Sequence, residues 1–154
     1  PATMQDGTLH DMLARTSGPP TVLIVSDSYL GSALAAEFDP RDDVRLVTTD
    51  SRVAAQAPDH ADTTVGDVTA LETLAAAEGT DAAVVGLTTD RKTLLVTQLL
   101  RAHFDIDATV VVLNNPERHD AMSDVATTVV SGPDCLSTAL HRTIQPTPTE
   151  AADR

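Results

Sequence analysis

Short apolar runs of strand length recur along the chain, and each is followed by a stretch whose apolar residues have helical spacing. The first run, Val22 to Val25, is continuously apolar, which is typical of a strand buried on both faces of a sheet. The pattern predicts strands over residues 21–25, 44–48, 63–65, 82–87, 108–113 and 126–130. It predicts helices over residues 28–38, 51–56, 71–78, 90–103, 116–122 and 133–143.

This alternation of strands and helices predicts an α/β fold. Short connections between successive units favour right-handed crossovers, a parallel sheet and helices on both of its faces. Two mononucleotide-binding halves give a Rossmann-like, doubly wound, six-stranded sheet in the order 3-2-1-4-5-6. The domain is expected to span residues 21–144, with an arm or short helix over 1–20 and a disordered tail over 145–154. Gly79 is expected to end the third helix as a C-cap residue.

The charge balance limits the range of partners. The chain has 23 acidic and 10 basic residues, which give a formal net charge of −13. We expect no nucleic-acid partner, because such a partner requires a basic face on the protein. Lys92 is the only lysine and aspartate dominates the acids, which favours a halophilic, haloarchaeal protein. An acidic domain encoded by a GC-rich genome is the alternative.

The cysteine content and the hydropathy indicate a cytoplasmic location. A single cysteine, Cys135, cannot form an internal disulfide and fits a reducing compartment, where we expect it to be a buried small residue. No apolar run approaches the ~20 residues that a membrane-spanning helix needs, so we expect no direct membrane insertion.

Sequence motifs of common catalytic sites are missing from the chain. It has neither the G-x-x-x-x-G-K-[ST] loop of P-loop ATPases nor the G-x-S-x-G elbow of α/β-hydrolases. The five histidines are scattered without the spacing of metal ligands. Tyr29 and Lys92 are too far apart for the Tyr-x-x-x-Lys pair of short-chain oxidoreductases. We therefore expect neither an enzyme nor a metal site.

The loop after the first strand is a candidate ligand site, because ligands of doubly wound sheets bind at the carboxyl ends of strands near the topological switch point. It has the frame of a G-x-G-x-x-G phosphate loop, with serine at the first two glycine positions. Asp27 adds negative charge beside the anion position, although the helix N-terminus still offers N–H groups. Nucleotide binding and no ligand at all both stay open. The loop residues are Ser26, Asp27, Ser28, Tyr29, Leu30 and Gly31.

The end of the second strand is expected to contact an adenosine ribose. Thr48 stands where an acid is usual in dinucleotide-binding domains, and Thr49 and Asp50 follow it. Asp50 can bind the ribose hydroxyls or cap the next helix, and capping is the commoner use of aspartate at such a place. Arg52 can meet a phosphate or face solvent, and we favour solvent.

Several segments together resemble the TrkA-N domain family, also called RCK or KTN domains. Gly66 to Leu74 is similar to the family's "GD-x-T…L" segment, and Thr80 to Val85 followed by Leu87 to Asp90 is similar to "ADAVV…T-x-DD-x-x-N". Asn114 to Glu117 resembles "R-x-N-x-P-E", and Val129 to Pro133 resembles "D-x-V-I-x-P". The order and spacing of these segments make the resemblance specific over residues 21–144.

The resemblance implies a nucleotide site and an oligomer. Asp67 and Val68 would lie against the adenine, with Gly66 beside them in the site, and Leu87 and Thr88 would flank the pyrophosphate or second nucleoside. The implied ligand is NAD or NADH, with ATP, ADP or AMP, or no ligand, as alternatives. A homodimer or higher oligomer and a potassium transporter or channel subunit are the implied partners. The sequence departs from the family at the glycine loop, at Thr48 and at Thr93.

Three functions remain after this comparison. The first is a cytoplasmic nucleotide-sensing regulator of a potassium transport or channel system, which needs differential affinity for two states and no catalytic group. The second is a degenerate Rossmann scaffold that binds no nucleotide and acts in protein–protein assembly. The third is the N-terminal domain of a larger phosphoesterase-type protein.

Overall fold

A computed structural model describes residues 19–145 of the chain. The arm predicted over residues 1–20 and the tail predicted over 145–154 lie almost entirely outside this range. Within it, no helix is both long and apolar enough to span a bilayer.

The described residues form six strands alternating with six helices. The strands are β1 (Thr21–Ser26), β2 (Asp43–Thr48), β3 (Ala61–Val65), β4 (Ala82–Gly86), β5 (Ala108–Leu113) and β6 (Thr128–Ser131). The helices are α1 (Tyr29–Glu37), α2 (Ser51–Gln56), α3 (Leu71–Leu74), α4 (Asp90–Phe104), α5 (His119–Ser123) and α6 (Gly132–Ile144). Short 3₁₀ turns over Ala75–Ala77 and Pro116–Arg118 extend α3 and precede α5.

All neighbouring strands are parallel, and the sheet has the order β3-β2-β1-β4-β5-β6. This confirms the predicted Rossmann-like, doubly wound topology. The chain leaves β1 in one direction along the sheet and returns to its other side with β4. The boundary between β1 and β4 is therefore the topological switch point, where the helices that follow these two strands pack on opposite faces of the sheet.

Most element boundaries differ from the sequence prediction by one to four residues, and three of the differences arise at a turn or a helix cap. The predicted helix over 71–78 divides into α3 and a 3₁₀ turn. The helix predicted from residue 28 begins at Tyr29, because Ser28 has extended backbone angles and caps it. The strand predicted from residue 126 begins at Thr128, because the N–H of Ala126 donates to the carbonyl of Met122 and closes the turn after α5.

The core has two parts, one on each face of the sheet. The larger lies between the sheet and the helices α3, α4 and α5, and includes Leu23, Val85, Leu100 and Met122. The smaller lies between β1, β2 and the helices α1 and α2, and centres on Ile24. On this second face the β4–β6 half of the sheet is covered less completely, since its valines are only partly buried: Val84, Val110, Val112 and Val130.

The crossover from β3 to β4 is fixed by a residue of β2. The Arg45 guanidinium donates to the carbonyl oxygens of Ala76 at 2.9 Å and Glu78 at 2.7 Å, at the end of the 3₁₀ turn. Gly79 follows with a φ of +78°. This backbone conformation is energetically unfavourable for any residue that has a side chain. The C-cap role predicted for Gly79 fits this geometry.

The last helix, α6, is less buried than the sequence suggests. None of its residues is fully buried, and Leu136, Leu140 and Ile144 are 62%, 53% and 78% exposed. Cys135 lies on this helix and is exposed, so the expectation of a buried small residue was wrong. The helix packs on the sheet edge at β5 and β6, where few neighbours are available to enclose it.

Close packing between β1 and α1 depends on Gly31. A Cβ atom at this position would lie 2.7 Å from the Ser26 Cβ and 3.0 Å from the Leu46 Cδ1. The leucine end can shift, but the Ser26 Cβ is fixed by the buried strand. Gly31 therefore has the packing role of the third glycine in a dinucleotide-binding loop.

Gly31→Ala is expected to lower the free energy of unfolding by about 1–3 kcal/mol, the usual range for an overpacked contact. Because the closest clash is with the Ser26 side chain, Ser26→Gly in the same chain should recover most of this loss. Ser26→Gly alone should destabilise by about 1 kcal/mol, since it frees the strand backbone. Chemical denaturation of wild type, both single variants and the double variant measures the coupling.

The losses are expected to be strongly non-additive, as for residues in direct contact. Additive losses would contradict the close approach of these two residues.

Candidate functional site

The loops after β1 and β4 meet at the switch point and are joined by one side chain. The Asp27 carboxylate accepts the N–H of Thr88 at 3.0 Å and 3.2 Å, one distance for each oxygen, and also accepts the Thr88 hydroxyl. We call these hydrogen bonds the Asp27–Thr88 clasp. A carboxylate thus occupies donors of the β4 loop that the family resemblance places beside a pyrophosphate.

The serines of the β1 loop form hydrogen bonds within the loop itself. Ser28 is the N-cap of α1, where its hydroxyl accepts the N–H of Leu30 at 3.4 Å. The buried Ser26 hydroxyl donates to the Ser28 carbonyl at 3.3 Å. Ser28 has φ −134° and ψ 171°, extended angles that any residue adopts, so the loop folds here without glycine. Tyr29 and Leu30 begin α1 and are about half exposed.

A buried carboxylate holds the β4 and β5 loops together. Asp90, 7% exposed in the first turn of α4, accepts the N–H of Asn114 at 2.8 Å and of Asn115 at 2.9 Å. The Asn114 amide in turn donates to the carbonyls of Leu87 at 2.9 Å and Thr88 at 3.1 Å. This network fixes the position of Thr88 from the side of the β5 loop.

The Asp90 network was not among the sequence-derived site residues. Asp90 and Asn114 each belong to a segment of the family resemblance, but their pairing joins positions 24 residues apart in the chain. An acid in the first turn of a helix is also common for electrostatic reasons alone. The sequence signal was present, although only the fold brings its two parts together.

The residues after β2 form a capped turn. Thr48 is fully buried, and its hydroxyl accepts the N–H of Asp50 at 3.2 Å, so it does not reach outward as a ribose ligand. Asp50 caps α2 by accepting the N–H of Arg52 at 2.8 Å, as the commoner interpretation had it. The Arg52 guanidinium meets both Asp50 oxygens, at 3.2 Å and 3.0 Å. Thr49 is exposed beside them.

Arg52 sets the charge of this turn. Side-chain and then backbone hydrogen bonds from Arg52 hold the pKa of Asp50 below its usual range, so this carboxylate stays ionised in mild acid. The Arg52 side chain is 80% exposed beyond the pair. Asp50 thus keeps a charged, partly accessible carboxylate at the carboxyl end of β2.

The residues after β3 lie beside this turn, because the N–H of Gly66 donates to the carbonyl of Thr48 at 3.0 Å. Asp67 is exposed, and its Oδ1 accepts the Thr69 hydroxyl at 2.7 Å and the Thr69 N–H at 2.9 Å. These bonds, with a smaller contribution from the positive charge of Lys92, lower the pKa of Asp67. The positive charge of Lys92, the only lysine of the chain, therefore acts on this carboxylate, which the sequence did not indicate.

Two of the predicted ligand contacts have buried side chains. Val68 is 2% exposed and Leu87 is 3% exposed, and both belong to the larger core. The N–H of Leu87 is also occupied, since it donates to the Thr93 hydroxyl at 3.1 Å. At these two positions a ligand can therefore meet the backbone or an exposed neighbour such as Asp67, but not the side chain.

The predicted site residues thus form two groups along the carboxyl edge of the sheet. One group, which we call the adenosine side, comprises the turns after β2 and β3 and has one exposed carboxylate, Asp67, and one partly exposed carboxylate, Asp50. The other, at the switch point, comprises the β1 and β4 loops and is closed by its own hydrogen bonds. The adenosine side contains Thr48, Thr49, Asp50, Arg52, Gly66, Asp67 and Val68.

Replacing Asp90 is expected to loosen the whole carboxyl edge. Asp90→Asn puts an amide N–H₂ where one backbone N–H now finds an acceptor, so the free energy of unfolding should fall by about 1.5–3 kcal/mol. Chemical denaturation measures the loss, and hydrogen exchange should show it as faster exchange at Asn114 and Asn115.

Asp134→Asn is the matched control, because Asp134 is an exposed acid in the first turn of α6. Its change should stay within about 0.5 kcal/mol, as is usual for surface substitutions. Equal losses in the two variants would contradict a special role for Asp90.

Solved structures similar to this chain include a domain of an inner membrane protein and two structures from the GsuK channel. The chain is similar to the TrkA-N domain of the inner membrane protein ybaL from Escherichia coli, with 16% identity, 84% of this chain and 100% of that chain covered, and a TM-score of 0.63. It is also similar to the GsuK channel bound to NAD and to the GsuK RCK domain, each with 15% identity and a TM-score of 0.61. These two matches cover 74% of this chain but only 22% and 26% of the GsuK chains.

At such identities the structural matches show a shared fold. No curated protein sequence matches the chain significantly. The family model of the TrkA-N domain, however, matches residues 22–133, which include every strand except the first residue of β1. The chain therefore belongs to the TrkA-N domain family.

Proposed function

We propose that this chain is a cytoplasmic regulatory domain that binds NAD(H) or an adenine nucleotide at the carboxyl edge of its sheet and controls a potassium transporter or channel. The observation that carries the proposal is the adenosine side, where the partly exposed carboxylate of Asp50 after β2 and the exposed carboxylate of Asp67 after β3 lie on adjacent turns. A shared fold with the GsuK channel bound to NAD supports the same class of ligand.

The chemistry of the adenosine side suits a nucleoside. Asp67 is ionised and exposed, and it still has an oxygen, Oδ2, to accept the exocyclic amine of adenine. Asp50 presents a carboxylate two residues beyond β2, within the turn where ribose hydroxyls are expected. The positive charge of Lys92, which helps to lower the pKa of Asp67, partly offsets the acidic surroundings for a phosphorylated ligand.

Regulation by such a site needs no catalytic group. A bound ligand shifts the equilibrium between two arrangements of an assembly in proportion to its difference in affinity for them. We therefore assign no catalytic residue to this domain. The GsuK matches, which cover about a quarter of those chains or less, fit a module that works within a larger assembly.

The surface of α6 suits a second copy of the chain. An apolar groove of about 770 Å³ lies between α1 and α6, and Leu30, Val112 and Leu136 contribute to its walls. Beside it, Leu140 and Ile144 are exposed on the same helix. Monomeric proteins rarely leave a contiguous apolar patch of this kind uncovered. A two-fold dimer covers both copies of the patch at once, because the same surface serves each partner.

One observation favours an assembly scaffold without nucleotide as the second candidate. The donors at the switch point are already used, by the Asp27 carboxylate and by the Ser28 hydroxyl. A dinucleotide that needed all of these donors would find none free. In this case dimerisation persists and nucleotides have no effect, and the chain acts only as an assembly unit or as the N-terminal domain of a larger phosphoesterase-type protein.

Calorimetric titration in molar KCl with AMP, ADP, ATP, NAD and NADH should detect micromolar binding of at least one ligand. Asp67→Ala should weaken that binding about tenfold, because it removes the proposed acceptor for the adenine amine; tenfold is about 1.4 kcal/mol. Asp62→Ala is the matched control, since Asp62 is an exposed acid near the opposite end of the same strand.

If none of these ligands binds to the folded protein, the result would favour the assembly scaffold without nucleotide. Equal weakening by the Asp62 and Asp67 variants would contradict the placement of adenine at the end of β3.

Light scattering should give the wild-type protein a mass of about twice the 16.1 kDa of one chain. Leu136→Glu together with Leu140→Glu should reduce it to the monomer mass, because a charge buried in an apolar interface loses its hydration. Leu71→Glu, at a leucine of α3 that is 42% exposed, should leave the dimer intact. A monomeric wild type, or dissociation by the Leu71 variant, would contradict this interface.

A further inference from the structure

The Asp27–Thr88 clasp divides the carboxyl edge into an open and a closed part. Thr88 follows β4 on the far side of the switch point from the adenosine side, as the sheet order places β2 and β3 beyond β1. A ligand that starts with adenosine at the ends of β2 and β3 and continues past α1 must reach Thr88 with its second phosphate or second nucleoside. This step rests on the proposed function.

Asp27 competes directly with that second phosphate. Its oxygens accept both donors of Thr88, the N–H and the hydroxyl. A phosphoryl oxygen can bind the same donors only after the carboxylate leaves, and it would then lie beside a negative charge on the same loop. Like charges at short range raise the free energy of binding, and the effect is larger at a protein surface than in bulk water.

The first phosphate meets a different environment. It would lie at the start of α1, where the Ser28 hydroxyl can turn from the Leu30 N–H to donate to a phosphate oxygen. The helix also favours an anion at this end. Ser28, Tyr29 and Leu30 are all exposed here, so a single phosphate has access without breaking the clasp.

One donor at the start of the neighbouring helix is already used. Thr89 caps α4, and its hydroxyl accepts the N–H of Lys92 at 3.4 Å. The Asp90 network holds the β4 loop from its inner side, through the Asn114 amide on the carbonyl of Thr88. The loop is therefore supported in the position that Asp27 binds.

We infer that Asp27 is a specificity-determining residue, whose clasp on Thr88 admits an adenine nucleotide with one phosphate and rejects ligands with a pyrophosphate. The ligand class is then AMP rather than NAD, ADP or ATP. The β1 loop, in which serines replace the first two glycines, is then part of the selectivity of the site.

Calorimetry with AMP, ADP and NAD on wild type, Asp27→Asn and Asp27→Gly tests this inference. Wild type should bind AMP at least about tenfold more tightly than ADP or NAD, a difference of about 1.4 kcal/mol. Asp27→Asn keeps an acceptor for the Thr88 N–H and removes only the charge. It should reduce the preference for AMP about tenfold through tighter binding of ADP and NAD, with AMP affinity unchanged within about twofold. Asp27→Gly, which also removes the side chain from the space beside Thr88, should reduce the preference for AMP further.

Glu37→Gln is the control, because it removes one negative charge at the opposite end of α1. It should leave the preference unchanged. NMR gives a readout that does not depend on affinity: the Thr88 amide signal should shift in both Asp27 variants, and on addition of NAD only in those variants.

The outcomes separate the two proposals. AMP binding with an equal affinity for NAD, or with a preference that the Asp27 variants leave unchanged, overturns the role of Asp27 and leaves the nucleotide site standing. An identical effect of Glu37→Gln also overturns it, since a general charge effect would then suffice. No binding of any ligand to wild type or variants overturns both proposals.

Discussion

The buried carboxylate of Asp90 is the interaction on which the carboxyl edge depends. It accepts two consecutive backbone N–H groups after β5, while the Asn114 amide returns to the carbonyls after β4. Charged acceptors make stronger hydrogen bonds than neutral ones, and leaving such a group unpaired in a buried place is costly. The β4 loop is therefore held in one position, and only a loop so held can present the N–H and hydroxyl of Thr88 to Asp27.

The chain keeps the topology of the family fold while its β1 loop departs from the family's glycine pattern. The close approach of α1 to β1 still requires Gly31, as in a dinucleotide-binding loop. The two serines of the β1 loop lie in extended or capping positions that need no glycine. The Asp27 carboxylate is an anion that belongs to the chain itself, and it occupies donors of the β4 loop. The adenosine side has its own capped turns, with the Asp50 and Asp67 carboxylates still reachable.

The fold could be predicted from the sequence because the strand and helix periods are clear and parallel crossovers have one hand. The sheet order followed from that pattern, and the family followed from the order and spacing of the segments that resemble it. Val68 and Leu87 could not be recognised as core residues from motif position alone, and Cys135 lies exposed because α6 covers only a sheet edge. The clasp joins residues 61 apart in the chain, and such a pairing becomes visible only when the switch point brings both loops together.

Hydrogen–deuterium exchange with and without saturating AMP tests most directly whether the adenosine side takes a ligand. Exchange reports the local opening of backbone hydrogen bonds, so a bound ligand slows it where it contacts the chain. Slower exchange is expected over residues 48–52 and 66–69, with no change along α6. Unchanged exchange over both segments, or a change confined to α6, would contradict a nucleotide site at the ends of β2 and β3.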